Sequence, residues 1–256
     1  TLWWLLQQLF EKNLLYKDVS IQPYSPAAGT GLSSHELNQP GTYRDVKDTS
    51  IVAMFEADRI EQSEFLFHAS GGNPVYFLAW TTTPWTLPSN LGLTVGAGID
   101  YALVKTLNPY SRETIHVVIA AARLGAYLKA EAENASFEEA AGGKTLPWKV
   151  LATFKGAELE GLRYKQLMPY EANRPEKAGG DPFRILTGDF VTTEDGTGIA
   201  HTAPAFGADD FRVGKKAGIG ILTLVDRQGR FTEGLGEFSG RYIKDYTDEP
   251  GYQDVN

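Results

Sequence analysis

A short segment, WTTTPWTLPSN at residues 80–90, concentrates hydroxyl groups in a stiff stretch of chain. Pro84 and Pro88 fix their own φ angles and push the residues before them toward extended conformations. Each threonine hydroxyl offers one hydrogen-bond donor and two acceptor sites. The segment contains no thiol, strong base or metal ligand, so it could position a substrate without attacking it. The alternative is a strand end whose hydroxyls bond to the backbone.

A second segment, TGDFVTTEDGTGIAHTAPAFGADDF at residues 187–211, brings a histidine close in sequence to two carboxylates. His201 follows a strand-like Ile199-Ala200, and Asp209 and Asp210 stand where the first turn of a helix is expected. A core histidine and N-capping aspartates are the alternatives that require no function. One aspartate could cap the helix while the other binds a ligand.

The sequence lacks the residues that several common kinds of catalytic and binding site require. The chain has no cysteine, which rules out disulfides and thiolate zinc sites. Gly143-Lys144-Thr145 lacks the earlier glycine of a phosphate loop, and HELNQ at 35–39 lacks the second histidine of a zinc protease. The four histidines are scattered, and no G-x-S-x-G motif is present. The formal charge of -8 argues against a general nucleic-acid-binding surface.

The elements that must position these segments are mostly strands. Short apolar runs rich in branched and aromatic residues predict strands; they are NPVYFLAW, YALVKTL, IHVVIA, FRILTGDFVTT and GIGILTLVD, the last followed by a turn at 226–229. WKVLATFKGAELEGLRY predicts a strand, a turn and a strand. Because strict βαβ alternation is absent, we predict a mainly β fold with flanking helices, closed or partly closed like a barrel and α+β by content.

Three helices are predicted. Leucines at helical spacing predict the first over residues 1 to about 17, and alanine-rich residues 121–142 predict the second, ending at Gly142-Gly143. FGADDFRVGKKAG predicts a third, short helix that ends at Gly218. The first has an apolar stripe that would need a partner, so we expect the sequence to be a piece of a larger protein.

The two segments together resemble the signature sequences of a known family. TTTPWTLPSN and DGTGIAHTAPAFGADD are similar to the two motifs of the editing domain of isoleucyl-tRNA synthetases, the long connective insertion in the class I catalytic core. WWLLQQLFEKNLLYKD resembles the core helix before the insertion, and PYSPAAGTGLSSHE resembles the ribbon after it. The valine and leucine relatives carry Thr-Thr-Arg-Pro where this chain has Thr83-Pro84-Trp85, which favours the isoleucine family.

The resemblance implies a division of the chain. Residues 1–18 would be the helix from the end of the catalytic core, 19–60 a β-ribbon linker, 61–235 the barrel-like editing domain, and 236–256 a return segment toward the core. Some family members have cysteines in the ribbon that form a metal knuckle. This chain has Ser25 and Ala28 there, so we expect no zinc in it.

The resemblance also implies roles for particular residues. The family hydrolyses valine from tRNA(Ile) in a pocket too small for isoleucine. Asp210 matches the position that holds the ammonium of valine, with Asp209 as second choice. The remaining positions surround the amino acid and its ester; they are Thr81, Thr82, Thr83, Trp85, Asn90 and His201. We expect Thr82, Thr83, His201 and Asp210 to take part in catalysis, Thr83 to set the size limit, and positioned water to attack the ester.

No cofactor is expected within this chain. ATP, with zinc or magnesium as further candidates, would belong to the rest of the synthetase. The implied partners are the valine-carrying CCA end of tRNA(Ile) and the remainder of the synthetase chain. With no signal peptide and no apolar run that could span a bilayer, we expect a cytoplasmic monomer without membrane contact.

Three alternatives stay open at this stage. The chain could be a non-catalytic module that docks the aminoacylated CCA end. It could also be the editing domain of a valyl or leucyl enzyme. Finally, the sequence does not separate hydrolysis of valyl-tRNA from hydrolysis of valyl-adenylate.

Overall fold

The computed structural model describes residues 1–43, 45, 47–138 and 145–244. Ten strands are described; they are β1 (Tyr24–Ser25), β2 (Thr30–Gly31), β3 (Ile51–Glu56), β4 (Val75–Thr81), β5 (Gly92–Val95), β6 (Asp100–Leu107), β7 (Thr114–Ala120), β8 (Trp148–Lys155), β9 (Arg184–Thr187) and β10 (Ile199–Thr202). The α-helices are α1 (Leu2–Glu11), α2 (Ser34–Leu37), α3 (Glu64–Ala69), α4 (Leu124–Tyr127), α5 (Gly156–Leu159), α6 (Pro175–Ala178) and α7 (Ala208–Lys216). Short 3-10 helices lie at Glu61–Ser63, Pro84–Ser89, Ala121–Arg123, Ala130–Ala132 and Gly236–Phe238.

Within the described residues, eight of the strands form one curled, mixed sheet, so the predicted β fold with flanking helices is confirmed. Its order is β8-β6-β7-β4-β10-β5-β9, and β3 pairs with β4 outside this path. β4 has more partners than an ordinary strand. β3 pairs antiparallel with it from end to end, and its other edge is shared by β7 at Val75–Phe77 and by β10 at Trp80. The sheet therefore forks at β4.

Both faces of the sheet are covered where β6 and β7 meet. Alternate residues of these strands join two separate apolar clusters, with Tyr101 and Leu103 on one face and Ala102 and Val104 on the other. The larger cluster is the main core and includes alternate residues of β4 and β5. Burial on both faces explains why β6 and β7 read as continuous apolar runs in the sequence.

The second face is covered by the segment that the sequence predicts as a helix over 121–142, and this prediction is wrong for the described part. The segment forms α4 and two 3-10 turns, while residues 139–142 and Gly143 lie outside the described residues. Trp148 in β8 donates its indole N–H to the carbonyl of Lys129, and the carbonyl of Trp148 accepts from the Asn134 amide. Packing against β8 thus overrides the weak preference of an alanine-rich stretch for helix.

The ends of the chain differ from the sheet. α1 forms as predicted but ends at Glu11 and has no buried residue; both of its tryptophans and all of its leucines except Leu6 are exposed. β1 and β2 make a separate two-stranded ribbon. The division at residues 18, 60 and 235 stays a prediction, although β3 belongs to the main sheet and not to the ribbon. Residues 245–256 of the predicted return segment lie outside the described residues.

Two further expectations are corrected in part. GIGILTLVD does not form a strand; isolated bridges join Ile219 to Gly180 and Val225 to Phe231. The second bridge lies around the predicted turn, where the Gly229 amide donates to the carbonyl of Asp226. After β8, the chain turns through α5 as expected, but the second strand of that prediction is reduced to isolated bridges at Arg163 and Tyr164. α7 forms where FGADDFRVGKKAG predicts it.

We expect Gly156→Ala to destabilise the fold. A β-carbon at this position, the first residue of α5, would lie 2.9 Å from the Tyr101 ring and closer still to the Gly96 carbonyl. Overpacking against backbone should lower the free energy of unfolding by about 1–3 kcal/mol. Urea denaturation measures it, with Gly125→Ala in α4, which has open space around it, as the matched control. Equal midpoints for the two variants would contradict the packing described.

Candidate functional site

The two segments singled out in the sequence meet at one end of β10. β4 and β10 run parallel with Trp80 opposite Ala200, and β5 pairs with the other edge of β10 with Gly92 opposite Thr202. The chain between β4 and β5 therefore crosses over the C-terminal end of β10. The Leu91 amide donates to the Thr202 carbonyl at 3.0 Å and fixes this crossing. Topology thus brings the threonines next to His201.

The crossing segment is a compact turn that gathers hydroxyl groups. Pro84 begins a 3-10 helix, where its missing N–H is not needed. The Thr83 amide donates to Thr81 Oγ1 at 3.1 Å, and Thr86 Oγ1 donates to the Thr83 carbonyl at 2.7 Å. Thr83 Oγ1 lies 3.3 Å from the hydroxyls of both Thr81 and Thr86. Thr82, in contrast, is exposed.

His201 is buried below this turn, and both of its ring nitrogens have partners. Nε2 lies 2.9 Å from Thr86 Oγ1, and Nδ1 lies 2.8 Å from Asn90 Nδ2. Burial lowers the pKa of His201 to about 4, so the ring is neutral near pH 7. A neutral ring with both nitrogens occupied is poorly placed to accept a proton from water.

Asn90 is buried behind His201, away from the hydroxyl cluster. Its Nδ2 also donates to the Gly92 carbonyl at 2.8 Å, and its Oδ1 accepts from the Tyr164 hydroxyl at 2.7 Å. Burial raises the pKa of Tyr164 well above its ordinary value, so this hydroxyl keeps its proton. The side-chain amide of Asn90 therefore supports His201 and has no polar group turned toward a substrate.

Asp210 lies in the first turn of α7 and bonds back to the end of β10. Its Oδ2 accepts from the Ala203 amide at 2.8 Å, directly after the point where the threonine turn crosses. Burial raises the pKa of Asp210 to about 6; the Ala203 bond opposes this shift and the negative charge of Asp209 adds to it. The site therefore contains a partly buried carboxylate with no cation bonded to it among the described residues.

Asp209 has a different environment although it is the next residue. It is exposed, and Arg212 donates to it at 3.0 Å while also bonding Asp189 at 2.9 Å. Neither aspartate is the cap of α7, because that position is Gly207 and it forms no side-chain capping bond. Of the two carboxylates, only that of Asp210 belongs to the end of β10.

Trp85 forms a half-buried wall beside the turn. Its ring packs edge to face against Phe206, with centroids 5.0 Å apart and planes at 77°. In the part of the chain that the structure describes, the buried indole nitrogen has no hydrogen-bond partner. A cleft of about 380 Å³ opens beside Trp85 and Phe206 and is bordered by the ribbon at 21–26. This cleft reaches the threonine turn at Trp85, and its lining does not include the threonine hydroxyls of that turn, His201 or Asp210.

The structure thus brings together most of the predicted residues. Thr81, Thr83, Asn90 and His201 share one hydrogen-bonded network, and Asp210 joins the same end of β10 through Ala203. Sequence reasoning did not single out Thr86 or Tyr164. Thr86 lies three residues after Thr83, a spacing that faces it back toward Thr83 in a helical turn. Tyr164 is 74 residues from Asn90, and nothing local in the sequence indicates its partner.

Among the described residues, no group of three or more histidine, aspartate or glutamate side chains could hold a metal ion. At the place where related ribbons carry cysteines, Ser25 Oγ accepts from the Ala28 amide at 3.2 Å and closes a turn. In the same residues, no helix combines the length and the apolar character needed to cross a bilayer.

Comparison with known proteins identifies relatives over nearly the whole chain, although no protein-family model matches it. Isoleucine–tRNA ligase of Cytophaga hutchinsonii is 51% identical over 262 residues, which covers 97% of this chain and 22% of that protein. The same ligase of Bacteroides thetaiotaomicron is 51% identical over 257 residues, with the same coverage. The chain spans about a fifth of the length of these relatives.

Among solved structures, the editing domain of the cytosolic leucyl-tRNA synthetase of P. knowlesi is similar with a TM-score of 0.44 and 13% identity, covering 63% of this chain and 60% of that one. The sequence matches are far stronger, and they place the chain among the aminoacyl-tRNA synthetases. Within that class it belongs to the isoleucine–tRNA ligase family, as a segment of the longer protein.

We expect Asp210→Asn to stabilise the chain at neutral pH. A carboxyl whose pKa is about 6 in the folded state and 3.8 otherwise holds its proton more tightly when folded, so stability falls as pH rises from about 4 to 6. This cost is at most about 3 kcal/mol, and partial exposure reduces it to about 1–2 kcal/mol. The asparagine amide removes the charge and can still accept from Ala203.

Urea unfolding at pH 7 and pH 4 measures this difference. The variant should be more stable than wild type at pH 7, and the gap should close at pH 4. The contribution of His201 to stability has the opposite pH dependence, because its lowered pKa makes stability fall as pH drops from 6.5 toward 4. Wild type and variant share this contribution, so it does not change the difference between them. A variant that is less stable at pH 7 would show that the ionised carboxylate stabilises the fold.

Proposed function

We propose that this chain is the proofreading domain of an isoleucyl-tRNA synthetase and that it hydrolyses the ester of valyl-tRNA(Ile). The observation that carries the proposal is the Asp210 carboxylate, which has no bonded cation among the described residues and lies at the end of β10 where the threonine turn crosses. Relatives named isoleucine–tRNA ligase support tRNA(Ile) as the tRNA of the proposed substrate. The activity is that of an aminoacyl-tRNA deacylase within a ligase.

Asp210 would bind the α-ammonium of the misloaded valine. A partly buried carboxylate is costly to leave ionised and unpaired, and an ammonium ion replaces the missing charge and donates hydrogen bonds. Burial is the main cause of the raised pKa of Asp210, and binding of a cation beside the carboxylate should lower it. Asp209 already has Arg212 as its cation, which makes it the weaker candidate.

The threonine turn would limit the size of the amino-acid side chain. A synthetic site gains only about 1–3 kcal/mol from the extra methylene of isoleucine, a limit for which isoleucyl-tRNA synthetases are the standard example and which a second, smaller pocket would overcome. Thr83 is half-buried and its hydroxyl is held only by two 3.3 Å contacts. We assign it the size limit, with Thr81 and Trp85 beside it. The exposed Thr82 would lie nearer the ester and the solvent.

Attack by water suits the groups that are present. The site has no thiol and no hydroxyl paired to a free base, because His201 is neutral and both of its nitrogens are bonded. Aligning a water molecule against a bound, already activated ester can supply a large part of the acceleration. His201 and the threonine hydroxyls would define where that water and the ester sit. The same arrangement would also hydrolyse valyl-adenylate.

The proposed partners follow from this reaction. The substrate is the single-stranded CCA end of tRNA(Ile) carrying valine, and single-stranded ends are read by stacking and by base-edge hydrogen bonds. The rest of the synthetase would bind the body of the tRNA and would use ATP. We propose that the chain acts in the cytoplasm and does not form oligomers by itself.

Replacement of Asp210 tests the proposal directly. Asp210→Ala in the full-length synthetase should slow release of valine from valyl-tRNA(Ile) at least about tenfold, because the ammonium loses a partly buried partner worth about 2–5 kcal/mol. Asp209→Ala is the matched control and should deacylate close to the wild-type rate. The measurement is turnover with valyl-tRNA(Ile) in excess over protein. A module that only docks the tRNA end would show no turnover. Unchanged deacylation by Asp210→Ala would refute the assignment.

Thr83→Ala should widen the pocket. With one methyl and one hydroxyl removed, isoleucyl-tRNA(Ile) should be hydrolysed at least about tenfold faster than by wild type, in line with the value of a single methylene. Thr114→Ala, an exposed threonine at the start of β7, is the control. If isoleucine stays protected, another residue sets the limit. Faster release of threonine from threonyl-tRNA(Val) than of valine from valyl-tRNA(Ile) would instead favour the valyl enzyme.

A further inference from the structure

The buried network behind the threonine turn has a fixed direction, and the Gly92 carbonyl sets it. Asn90 Nδ2 lies 2.8 Å from this carbonyl oxygen, which has no proton to donate. The atom that faces it must therefore be the NH₂ group of the side chain. The amide oxygen then faces the Tyr164 hydroxyl at 2.7 Å and accepts its proton. Both ends of the Asn90 amide are thus assigned by their partners.

This orientation determines which nitrogen of His201 carries the proton. The second N–H of Asn90 points at Nδ1 over 2.8 Å, and an amide nitrogen can only donate. Nδ1 must then present its lone pair, so the neutral ring carries its single proton on Nε2. No charged side chain in the described part of the chain bonds to the ring; its two partners there are Thr86 and Asn90.

The Nε2 proton in turn orients the Thr86 hydroxyl. Nε2–H donates to Thr86 Oγ1 at 2.9 Å, and the proton of Thr86 is left for the Thr83 carbonyl at 2.7 Å. In the opposite tautomer, Thr86 would have to donate to Nε2, and the Thr83 carbonyl would lose that bond. Donation therefore runs one way, from Tyr164 through Asn90, His201 and Thr86 to Thr83.

We propose that Asn90 is a positioning residue that holds His201 in the Nε2–H form and thereby fixes the Thr86 hydroxyl and the backbone of Thr83. The importance of this for deacylation rests on the function proposed above. The bond between Thr86 and the Thr83 carbonyl holds the turn on which the Thr83 side chain stands. Among the described residues, Thr83 Oγ1 has two long contacts of 3.3 Å, with the hydroxyls of Thr81 and Thr86, and a substrate would replace these more easily than the shorter bonds of the network.

An isosteric variant separates this role from a purely spatial one. Asn90→Asp keeps the shape of the side chain but introduces a carboxylate, which accepts hydrogen bonds and cannot donate. Nδ1 of His201 must then carry the proton, and the neutral ring turns a lone pair toward Thr86. When the imidazolium forms beside the new carboxylate, both nitrogens carry protons, and donation from Nε2 to Thr86 returns.

The expected result in the full-length synthetase is therefore a pH-dependent defect. At pH 8 the variant should deacylate valyl-tRNA(Ile) at least about tenfold more slowly than wild type, and the ratio should recover toward pH 6. Two other titratable groups adjoin the network. Tyr164 stays protonated throughout, and Asp210 titrates in both proteins, so neither changes the ratio. A ratio independent of pH would overturn the positioning role. The new carboxylate also faces the Gly92 carbonyl, and low pH would relieve that repulsion too, so recovery supports the role only if variant and wild type have equal melting temperatures at pH 8 and pH 6.

A matched pair of tyrosine variants tests the far end of the network. Tyr164→Phe removes the donor to Asn90, whereas Tyr101→Phe removes an equally buried hydroxyl that bonds Gly198 and Gly96 outside the network. Tyr164→Phe should slow deacylation by about threefold or more at pH 8, with Tyr101→Phe near wild type after both are checked for equal melting temperature. Equal rates for the pair would contradict the proposal.

A spectroscopic measurement keeps the tautomer separate from the activity. In full-length protein labelled with ¹⁵N at histidine, solid-state NMR distinguishes protonated from unprotonated ring nitrogens, and the His201 signals are those lost in His201→Gln. We expect Nε2 to be protonated in wild type at pH 7 and Nδ1 in Asn90→Asp at pH 8. A protonated Nδ1 in wild type would overturn the inference. If wild type did not deacylate valyl-tRNA(Ile), the proposed function would fall, and these spectra alone would decide the tautomer.

Discussion

The parallel pairing of Trp80 with Ala200 is the contact on which the site depends. It is a single register position. Trp80 can pair with β10 because β7 occupies only the first part of the same edge of β4, at Val75–Phe77. Since β4 and β5 lie on opposite edges of β10, the chain between them has to cross its end. The turn, the histidine and the carboxylate of α7 meet for this reason. The fork in the sheet thus determines the geometry of the site before any side chain does.

The buried polar groups at this point are costly unless hydrogen bonds compensate them. The uncharged groups from Tyr164 to Thr83 are satisfied in a chain of hydrogen bonds, which offsets their burial, whereas the buried indole nitrogen of Trp85 has no partner among the described residues. Asp210 is the charged exception, since one backbone amide compensates little of the cost of a partly buried negative charge. If stability alone were selected, asparagine or an apolar residue would be expected at this position. The unpaired carboxylate is better explained by a ligand that carries the opposite charge.

The sequence predicted the main strands and the residues at the surface of the site, because these depend on local patterns. β4, β6 and β7 are apolar runs with clear boundaries, and Pro84 and Pro88 mark the turn between strands. Thr81, Thr83, His201 and Asp210 could be selected by residue type and by resemblance to a family. The residues that support these side chains could not be selected in that way, since only the tertiary fold brings Tyr164 next to Asn90. In the described part of 121–142, the predicted helix is broken into short helical pieces for the same kind of reason: contacts with Trp148 decide the conformation of that segment.

A pocket that separates two amino acids by one carbon must hold its walls more precisely than the length of a carbon–carbon bond. Side chains that rotate freely cannot meet this requirement, however well chosen they are. Pro84 and Pro88 remove backbone freedom from the threonine turn, and the hydrogen bond from Thr86 to the Thr83 carbonyl closes it. The accuracy of the proposed discrimination between the two amino acids then depends on the rigidity of the main chain. In the proposed pocket, the threonine methyl groups would form the wall, and the prolines would limit how far that wall can move.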